Sequence, residues 1–416
     1  MLVGVVGSLF QLSIHWVDVF LNQCFFYAKT QGWSLAILSS GVSMVMVLVA
    51  FLLVRWFSPE AAGSGVQEIE GALLHERTIL WRQLLPVKFF GGLLAISAKM
   101  ASGREGPTIQ MGGNLGEMIG EAFKLSRKRR DALIAAGSAA GLAVAFNAPL
   151  AGVLFVLEEM RNQFNFSFIN FKIVAICCFI STIVLHLIIG SKPAILMTMY
   201  NEPSLQSLWI FFIYGILIGF LALIFNILLM KMLRIVKRLS IASRYAYVLI
   251  IGCSIGYLAY AFPSLVGGGY DIIEQSLTMT PSFLTLVWLI TLRFLITILC
   301  YGAGAPGGVF APMLALGTLC GLMVPYLLHY LNIDIPTQPG MFAVAGMAAF
   351  FSASVRAPIT GIVLVVEMTQ NYMLILPLMV TCLTSTTIMQ LFKNKPLYTQ
   401  LLLDTLSSKK SGAINS

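Results

Sequence analysis

The sequence contains few charged residues. Only 10% of its 416 residues are Asp, Glu, Lys or Arg, whereas 58% are hydrophobic, and the mean hydropathy is +0.88. Because soluble domains carry about a quarter charged residues, this chain cannot cover a water-facing surface with polar side chains. A lipid-facing helix needs only about 20 mostly apolar residues with few charges. The deficit argues against a soluble enzyme and predicts an integral membrane protein.

Metal-ligand and disulfide patterns are also missing. The seven cysteines lie in or beside apolar segments without a C-x-x-C pair, and the four histidines are scattered. We therefore expect no metal site and no disulfide framework. The five Asp residues are scattered along the chain rather than paired within one apolar span, which disfavours an intramembrane aspartyl hydrolase. A serine hydrolase would need a basic partner in the membrane, and Ser64 has no well-placed His.

The apolar residues form continuous runs rather than alternating patterns. Without water in the bilayer core the backbone must satisfy itself in helices or in a closed barrel, so the runs predict an all-α polytopic membrane protein. The first run, residues 1–20, lacks a basic start and a cleavage site, and is predicted to be a span rather than a signal peptide. Further predicted spans are residues 35–56, 134–157, 173–189, 208–232, 247–262, 283–299 and 373–392.

The net charge of +9 does not indicate nucleic-acid binding. The basic residues lie in short loops, chiefly residues 124–130 and 231–244, and in the tail from Lys393. Basic loops of this kind are the usual topology signal of a membrane protein. We expect the tail in the cytoplasm. The sidedness of the two internal clusters stays open, because half-spanning segments make crossings hard to count.

Two stretches of the chain are repeated in its two halves. Residues 148–152, with an apolar run to Glu158, resemble residues 357–361 with their run to Glu367. A Gly-x-x-x-Pro segment with two later glycines also occurs twice, at residues 103–116 and 308–321, in the same order and at nearly the same separation. Repeated halves in a transporter place the binding site at their interface near the membrane midplane, where broken helices point their N-termini at the substrate.

Three Gly- and Pro-rich segments, residues 63–71, 103–107 and 304–312, each end a loop and start a predicted helix. A helix N-terminus offers free N–H groups and a partial positive charge, which together attract an anion. Each terminus contributes about 0.3–1 kcal/mol when exposed and up to about 2 kcal/mol when partly buried. Several converging termini could hold a small halide weakly enough for rapid passage. The glycines spaced by four, at 112, 116, 317 and 321, are instead interpreted as helix-packing positions.

Two side chains in these segments are candidates for ion handling. Ser64 could donate a hydroxyl to an anion, or it could be an ordinary helix cap. Glu105 is a carboxylate in an apolar region. It could pair with the adjacent Arg104, which would support the site electrostatically, but intramembrane ionisable residues are costly and are usually functional. An ionised Glu105 could occupy the anion's place and leave when protonated, acting as both gate and proton carrier.

Together the motifs resemble those of the CLC family of chloride channels and chloride/proton antiporters, above all the bacterial antiporters. The resemblance runs from about residue 3 to residue 403 and includes residues 86–92, 146–152 and 395–398. It implies two inverted-topology repeats with broken helices meeting at the midplane, and a homodimer in the bacterial inner membrane with one pathway per subunit. The implied activity is exchange of chloride for protons, with no cofactor.

The resemblance assigns anion-binding roles residue by residue. Ser64 and Tyr398 would give hydroxyl donors to the central chloride. The backbone amides of Val309 and Phe310 would give N–H donors, and Gly106 would belong to the same site. One departure is Gln67, which stands where family members commonly carry proline. We expect it to loosen the first anion site while leaving the hydroxyl donor in place.

The resemblance also assigns roles to charged residues. Glu105 corresponds to the external gate, and Glu159 to the internal proton-transfer glutamate that family channels generally lack. Glu158 has two open interpretations, lining a water path or being solvated. Glu70 and Lys88 match family charges near the pathway and are interpreted as a buried structural pair that influences the gate.

The domain prediction is a single transmembrane transport domain over residues 1–416, with repeat one at about 34–200 and repeat two at about 208–403. The short N-terminal helix and the cytoplasmic regulatory domains of some family members have no counterpart in the sequence, so we expect no nucleotide regulation. The alternatives to antiport are a chloride channel of the same fold, an intramembrane hydrolase, and a cation or organic-solute transporter.

Overall fold

The computed structural model describes residues 1–161, 163, 167–197, 199–278, 281–333 and 338–414. Within these ranges the chain forms 17 α-helices and no β-strand. Eight helices are long and apolar enough to cross a membrane. The all-α polytopic prediction is therefore confirmed.

The helices are α1 (Leu2–Thr30), α2 (Leu35–Phe57), α3 (Val66–Leu73), α4 (Trp81–Ser97), α5 (Glu105–Ala122), α6 (Arg127–Phe146), α7 (Pro149–Glu159), α8 (Phe168–Ile188), α9 (Leu208–Arg238), α10 (Ile241–Ala261), α11 (Tyr270–Thr278), α12 (Phe283–Gly302), α13 (Phe310–Tyr330), α14 (Pro339–Val355), α15 (Pro358–Thr369), α16 (Ile375–Leu391) and α17 (Leu397–Ile414).

Each predicted span but one corresponds to one long helix. The span predicted at residues 134–157 is wrong, because two helices occupy it: α6 ends at Phe146 and α7 begins at Pro149. Asn147 between them takes a left-handed conformation with φ 55°, and proline lacks the N–H that would continue α6. The second repeat breaks in the same way between α14 and α15, where Arg356 has φ 64° before Pro358.

Glycines set the spacing of the central helix pairs in both halves. A Cβ on Gly112 of α5 would overlap the carbonyl oxygen of Gly137 on α6, and a Cβ on Gly317 of α13 would overlap that of Gly346 on α14. Gly116 and Gly321 meet backbone carbonyls of α6 and α14 in the same manner. The packing role predicted for the four glycines is confirmed, since only glycine lets the helix backbones approach this closely.

Glu158, near the end of α7, caps the N-terminus of α15. Its carboxylate accepts hydrogen bonds from the backbone N–H groups of Ile359 (3.0 Å) and Thr360 (2.7 Å) and from the Thr360 hydroxyl (2.7 Å). The first N–H groups of a helix have no partner within the helix, and a carboxylate satisfies them while complementing the helix dipole. Neither sequence alternative for Glu158 anticipated this contact with the other repeat.

The reverse contact is made by Glu367 of α15, the repeat equivalent of Glu158. It accepts hydrogen bonds from the backbone N–H groups of Leu150 (3.1 Å) and Ala151 (2.8 Å) at the start of α7. Equivalent residues that contact each other's helices reciprocally imply a two-fold relation between the halves. The internal repeat predicted from the sequence is thus a pair of structurally equivalent units that cap each other.

We expect both caps to contribute to stability. Glu367→Gln and Glu158→Gln each remove a charge from a helix N-terminus. Each substitution should lower the free energy of unfolding by on the order of 1 kcal/mol, and with it the midpoint temperature of unfolding in detergent. Thermal unfolding of the purified variants measures this, with the exposed Glu202→Gln as the control. Midpoints equal to that of the control would contradict the capping role.

Candidate functional site

Two helix N-termini from the two repeats are joined by backbone hydrogen bonds. The N–H of Gly103, two residues before α5, donates to the carbonyl oxygen of Gly308 (2.7 Å), and the N–H of Gly308, two residues before α13, donates to that of Gly103 (2.8 Å). These glycines are equivalent positions of the repeat, so the local two-fold axis passes between them. The starts of α5 and α13 are therefore fixed side by side.

The start of α3 joins the same cluster. The Gly63 carbonyl oxygen accepts from the N–H of Gly307 (3.0 Å), and the Gly63 N–H donates to the carbonyl oxygen of Ala305 (3.2 Å). Lys88, fully buried on α4, donates from Nζ to the carbonyl oxygens of Ala61 (3.0 Å) and Gly63 (2.7 Å). One ammonium group thereby holds the loop that leads into α3.

The predicted pairing of Lys88 with Glu70 is wrong, although both side chains are fully buried as expected. Within the described ranges no ion pair joins them. The ammonium is satisfied by the loop carbonyls, while both oxygens of Glu70 lack a hydrogen-bond partner in the described part of the chain. Lys88 is therefore a structural anchor of the loop rather than the counter-ion of Glu70.

Glycine permits the α3 and α5 segments to touch at Ser64. A Cβ on Gly106 would lie 2.5 Å from the Ser64 Oγ and 2.8 Å from its carbonyl oxygen. Gly65, the N-cap residue of α3, has φ 85°, which only glycine adopts readily. Because Gly65 occupies the cap position and no side chain caps this described helix, the helix-cap interpretation of Ser64 is wrong.

The hydroxyl groups of Ser64 and Tyr398 lie close together in the interior. Both residues are fully buried, and neither hydroxyl has a hydrogen-bond partner among the residues that the structure describes. The Ser64 N–H is satisfied separately, by the Tyr301 hydroxyl at 3.2 Å. Burying a polar group without a partner is costly, so two adjacent hydroxyls of this kind form a candidate site for a ligand that accepts hydrogen bonds.

Aromatic packing fixes the start of α13 next to this site. The fully buried Phe310 ring stacks on Phe351 of α14 with centroids 4.1 Å apart, and it contacts Phe146 at the end of α6 at 4.8 Å. Val309, the N-cap residue of α13, is also fully buried. The rings come from both repeats, so they hold the backbone N–H groups of α13 in place from two sides.

Glu105, the first residue of α5, is fully buried. Its Oε1 accepts a hydrogen bond from the Tyr270 hydroxyl at 2.6 Å, and its Oε2 folds back over Gly103, where any side chain would overlap it. The Arg104 guanidinium lies over the Tyr270 ring, 5.1 Å from its centroid. No ion pair between Arg104 and Glu105 occurs among the described salt bridges.

Tyr270 is a residue of the site that was not predicted from the sequence. A signal was present, because three consecutive glycines at residues 267–269 precede it and it begins α11. This is the same loop-to-helix pattern as in the three segments that were identified. The direction of its side chain, however, had no local signature.

Glu159, the last residue of α7, is 8% exposed, and Glu70 of α3 is fully buried. The two side chains approach each other. Two carboxylates offer only acceptors and repel each other, so this proximity favours a proton on one of the two carboxyl groups. The Tyr398 phenol lies within electrostatic range of both Glu159 and Glu105.

The chain matches the family model described as voltage gated chloride channel over residues 46–390. The H(+)/Cl(-) exchange transporter ClcA of Vibrio parahaemolyticus is 44% identical over 420 residues, covering 98% of this chain and 88% of the relative. The protein of the same name from Salmonella typhimurium is 41% identical over 412 residues, covering 98% and 87%.

Solved structures agree with these relatives. The crystal structure of a slow cyanobacterial Cl-/H+ antiporter is 37% identical and superimposes with a TM-score of 0.94, covering 99% of this chain and 96% of that one. A eukaryotic CLC transporter, 23% identical with a TM-score of 0.79 over 97% of this chain and 72% of that one, shares the fold. The chain therefore belongs to the voltage gated chloride channel family, the CLC transporters and channels.

Proposed function

We propose that the protein exchanges chloride for protons across the bacterial inner membrane. The observation that carries this proposal is that two buried carboxyl groups act on one buried hydroxyl. Both Glu105 and Glu159 lie within electrostatic range of Tyr398. The relatives named H(+)/Cl(-) exchange transporters support the same assignment.

The anion would bind where the helix N-termini meet. Ser64 and Tyr398 offer two hydroxyl donors, and the N–H groups of Val309, Phe310 and Gly106 lie at or next to the starts of α13 and α5. These donors carry partial charge rather than full charge, so they stabilise a halide without trapping it. The contact of Gly106 with Ser64 supports a site too narrow for a large organic solute.

Glu105 would act as the external gate. Its ionised carboxylate carries the same charge as the anion and lies at the same helix terminus, so the two compete for that position. Protonation removes this competition and frees the side chain to move away. Arg104, held over the Tyr270 ring, adds positive charge at the outer side of this gate.

Glu159 would pass protons on the inner side, with Glu70 as its neighbour. A buried carboxyl pair can keep a proton in a region where a lone carboxylate would be costly. A chloride channel of the same fold is the alternative, but a conducting pore needs no protonatable group here. The buried Glu159 favours exchange. Chloride and protons are the transported ions in this scheme, and we propose no cofactor.

We also propose a homodimer in which each subunit contains a complete pathway. All the candidate residues belong to one chain, and both repeats, at about residues 34–200 and 208–403, contribute to the one site. The reciprocal bonds between Gly103 and Gly308 support a site built between repeats rather than between subunits. The whole chain would then be a single transport domain.

Removing either carboxylate should break proton coupling by a different route. Glu105→Gln resembles the protonated gate, so chloride should still pass, without pH dependence. Glu159→Gln leaves the outer gate titratable, so chloride flux should persist with some pH dependence while proton movement disappears. Proton uptake driven by a chloride gradient in liposomes measures this for the wild type and both variants.

The exposed Glu202→Gln is the matched control for these variants and should transport like the wild type. A wild type that moves chloride without protons would make the protein a channel. A Glu159→Gln variant that still couples fully would remove that residue from the mechanism.

The dimer should consist of two independent pathways. A tethered dimer with one subunit inactivated by Gly106→Leu should keep about half of the wild-type chloride flux, because the new side chain would collide with Ser64 in that subunit alone. The doubly substituted dimer is the control and should be inactive. Complete loss of flux in the singly substituted dimer would indicate a shared pore.

Selectivity should favour chloride, with bromide and nitrate to some degree, over fluoride and phosphate. The proposed donors are neutral hydroxyls and N–H groups, which do not replace the tightly held water of fluoride, and the narrow site excludes phosphate. Anion flux under matched gradients in liposomes measures this order. A fluoride flux greater than the chloride flux would refute the assignment.

A further inference from the structure

The hydrogen bond from Tyr270 is the principal polar contact of the gate carboxylate. The hydroxyl donates to the Glu105 Oε1 at 2.6 Å, a short O–H···O hydrogen bond. The other oxygen has no hydrogen-bond partner in the described part of the chain. The position of the closed gate therefore depends strongly on where this one hydroxyl stands.

A buried arginine fixes the loop that carries Tyr270. Arg293 of α12 is fully buried and donates three hydrogen bonds to this loop, to the carbonyl oxygens of Ser264 (3.2 Å), Val266 (3.0 Å) and Gly267 (2.8 Å). Because one guanidinium binds three carbonyl groups within four residues, the loop has little freedom to move. Its charge is used for structure rather than for the anion.

The glycines before Tyr270 allow this arrangement. Gly269 has φ 112°, and a Cβ there would lie 2.7 Å from the Arg293 Nη2. The N–H of Gly267 donates to the Lys99 carbonyl oxygen at 2.8 Å, which ties the loop to the segment leading into α5. The donor and its acceptor are thus anchored to the same stretch of backbone.

Few other charged or titratable groups face the Glu105 carboxylate. Arg104 acts from the N-terminus of α5 and the Tyr398 phenol from α17. The backbone N–H groups of Glu105 and of Ala311 on α13 also favour the charged carboxylate, while Oε2 is left without a hydrogen bond of good geometry. Arg104 is itself placed by the Tyr270 ring. Tyr270 therefore acts on the gate directly through its hydroxyl and indirectly through the guanidinium on its face.

We infer that Tyr270 is a positioning residue for the gate: its hydroxyl latches the ionised Glu105 carboxylate in the closed position and sets the pH at which chloride transport begins. The inference rests on the proposed function of Glu105 as a gate. A hydroxyl donor favours the charged carboxylate over the neutral acid. The latch holds the gate shut until the external pH falls far enough to protonate Glu105, and it slows turnover at neutral pH.

The test is the pH profile of chloride flux through the full chain in liposomes. Tyr270→Phe keeps the ring under Arg104 and removes only the donor. It should shift the half-maximal pH upward by about one unit and raise flux near neutral pH by about tenfold, as expected for loss of a hydrogen bond to a charged group. Tyr326→Phe is the control, because it removes a hydroxyl that donates to the Pro281 carbonyl (2.7 Å) far along α13.

Two further variants separate a latch from a general structural effect. In a Glu105→Gln background, Tyr270→Phe should change neither the profile nor the rate, because no ionised gate remains to be held. Tyr270→Leu, which also lacks the hydroxyl, should shift the profile in the same direction as Tyr270→Phe, whatever its absolute rate.

A Tyr270→Phe profile that coincides with the wild-type profile would overturn the inference, as would an equal rise of flux near neutral pH when Tyr270→Phe is added to Glu105→Gln. Proton uptake by the wild type is measured in the same vesicles. If the wild type carries chloride without protons, the antiport proposal fails, but the pH profiles of chloride flux still decide the role of Tyr270.

Discussion

The reciprocal backbone hydrogen bonds between Gly103 and Gly308 are the constraint on which the rest of the site depends. They place two helix N-termini from opposite repeats side by side, and Lys88 together with the Gly63 loop brings in a third. Helix N-termini repel one another through their partial positive charges. Their convergence is held by backbone bonds at positions where no side chain would fit, and it is complemented by negative charge.

That negative charge comes from glutamates whose environments give them different roles. Glu158 and Glu367 cap helix N-termini, where each carboxylate accepts hydrogen bonds from N–H groups of the other repeat. Glu105 is held through one oxygen only. Glu70 and Glu159 lie close to each other. The capping carboxylates are fixed by their N–H partners, whereas the incompletely satisfied carboxyl groups are those to which we assign movement and proton exchange.

The two-fold relation between the repeats gives both halves of the molecule the same rigid helix contacts. Helices α7 and α15 are tied to each other at both ends, and α5–α6 and α13–α14 are packed at glycine contacts that tolerate no added atom. A site between such units can change through side chains while the backbone stays in place. The Tyr270 latch fits this division, because Arg293 immobilises its loop and leaves the Glu105 side chain as the part that moves.

The sequence by itself determined the membrane class, the helical content, the repeat and the helix starts around Ser64, Glu105 and Phe310. These features rest on local composition: apolar runs, and glycine or proline at loop-to-helix junctions. Only the tertiary structure decided the break at Asn147, the carbonyl partners of Lys88, the cap made by Glu158 and the bond from Tyr270 to Glu105. Each of the three side-chain contacts joins segments distant along the chain, 165 residues apart for Tyr270 and Glu105. Such partners are set by how helices pack, which no local pattern encodes.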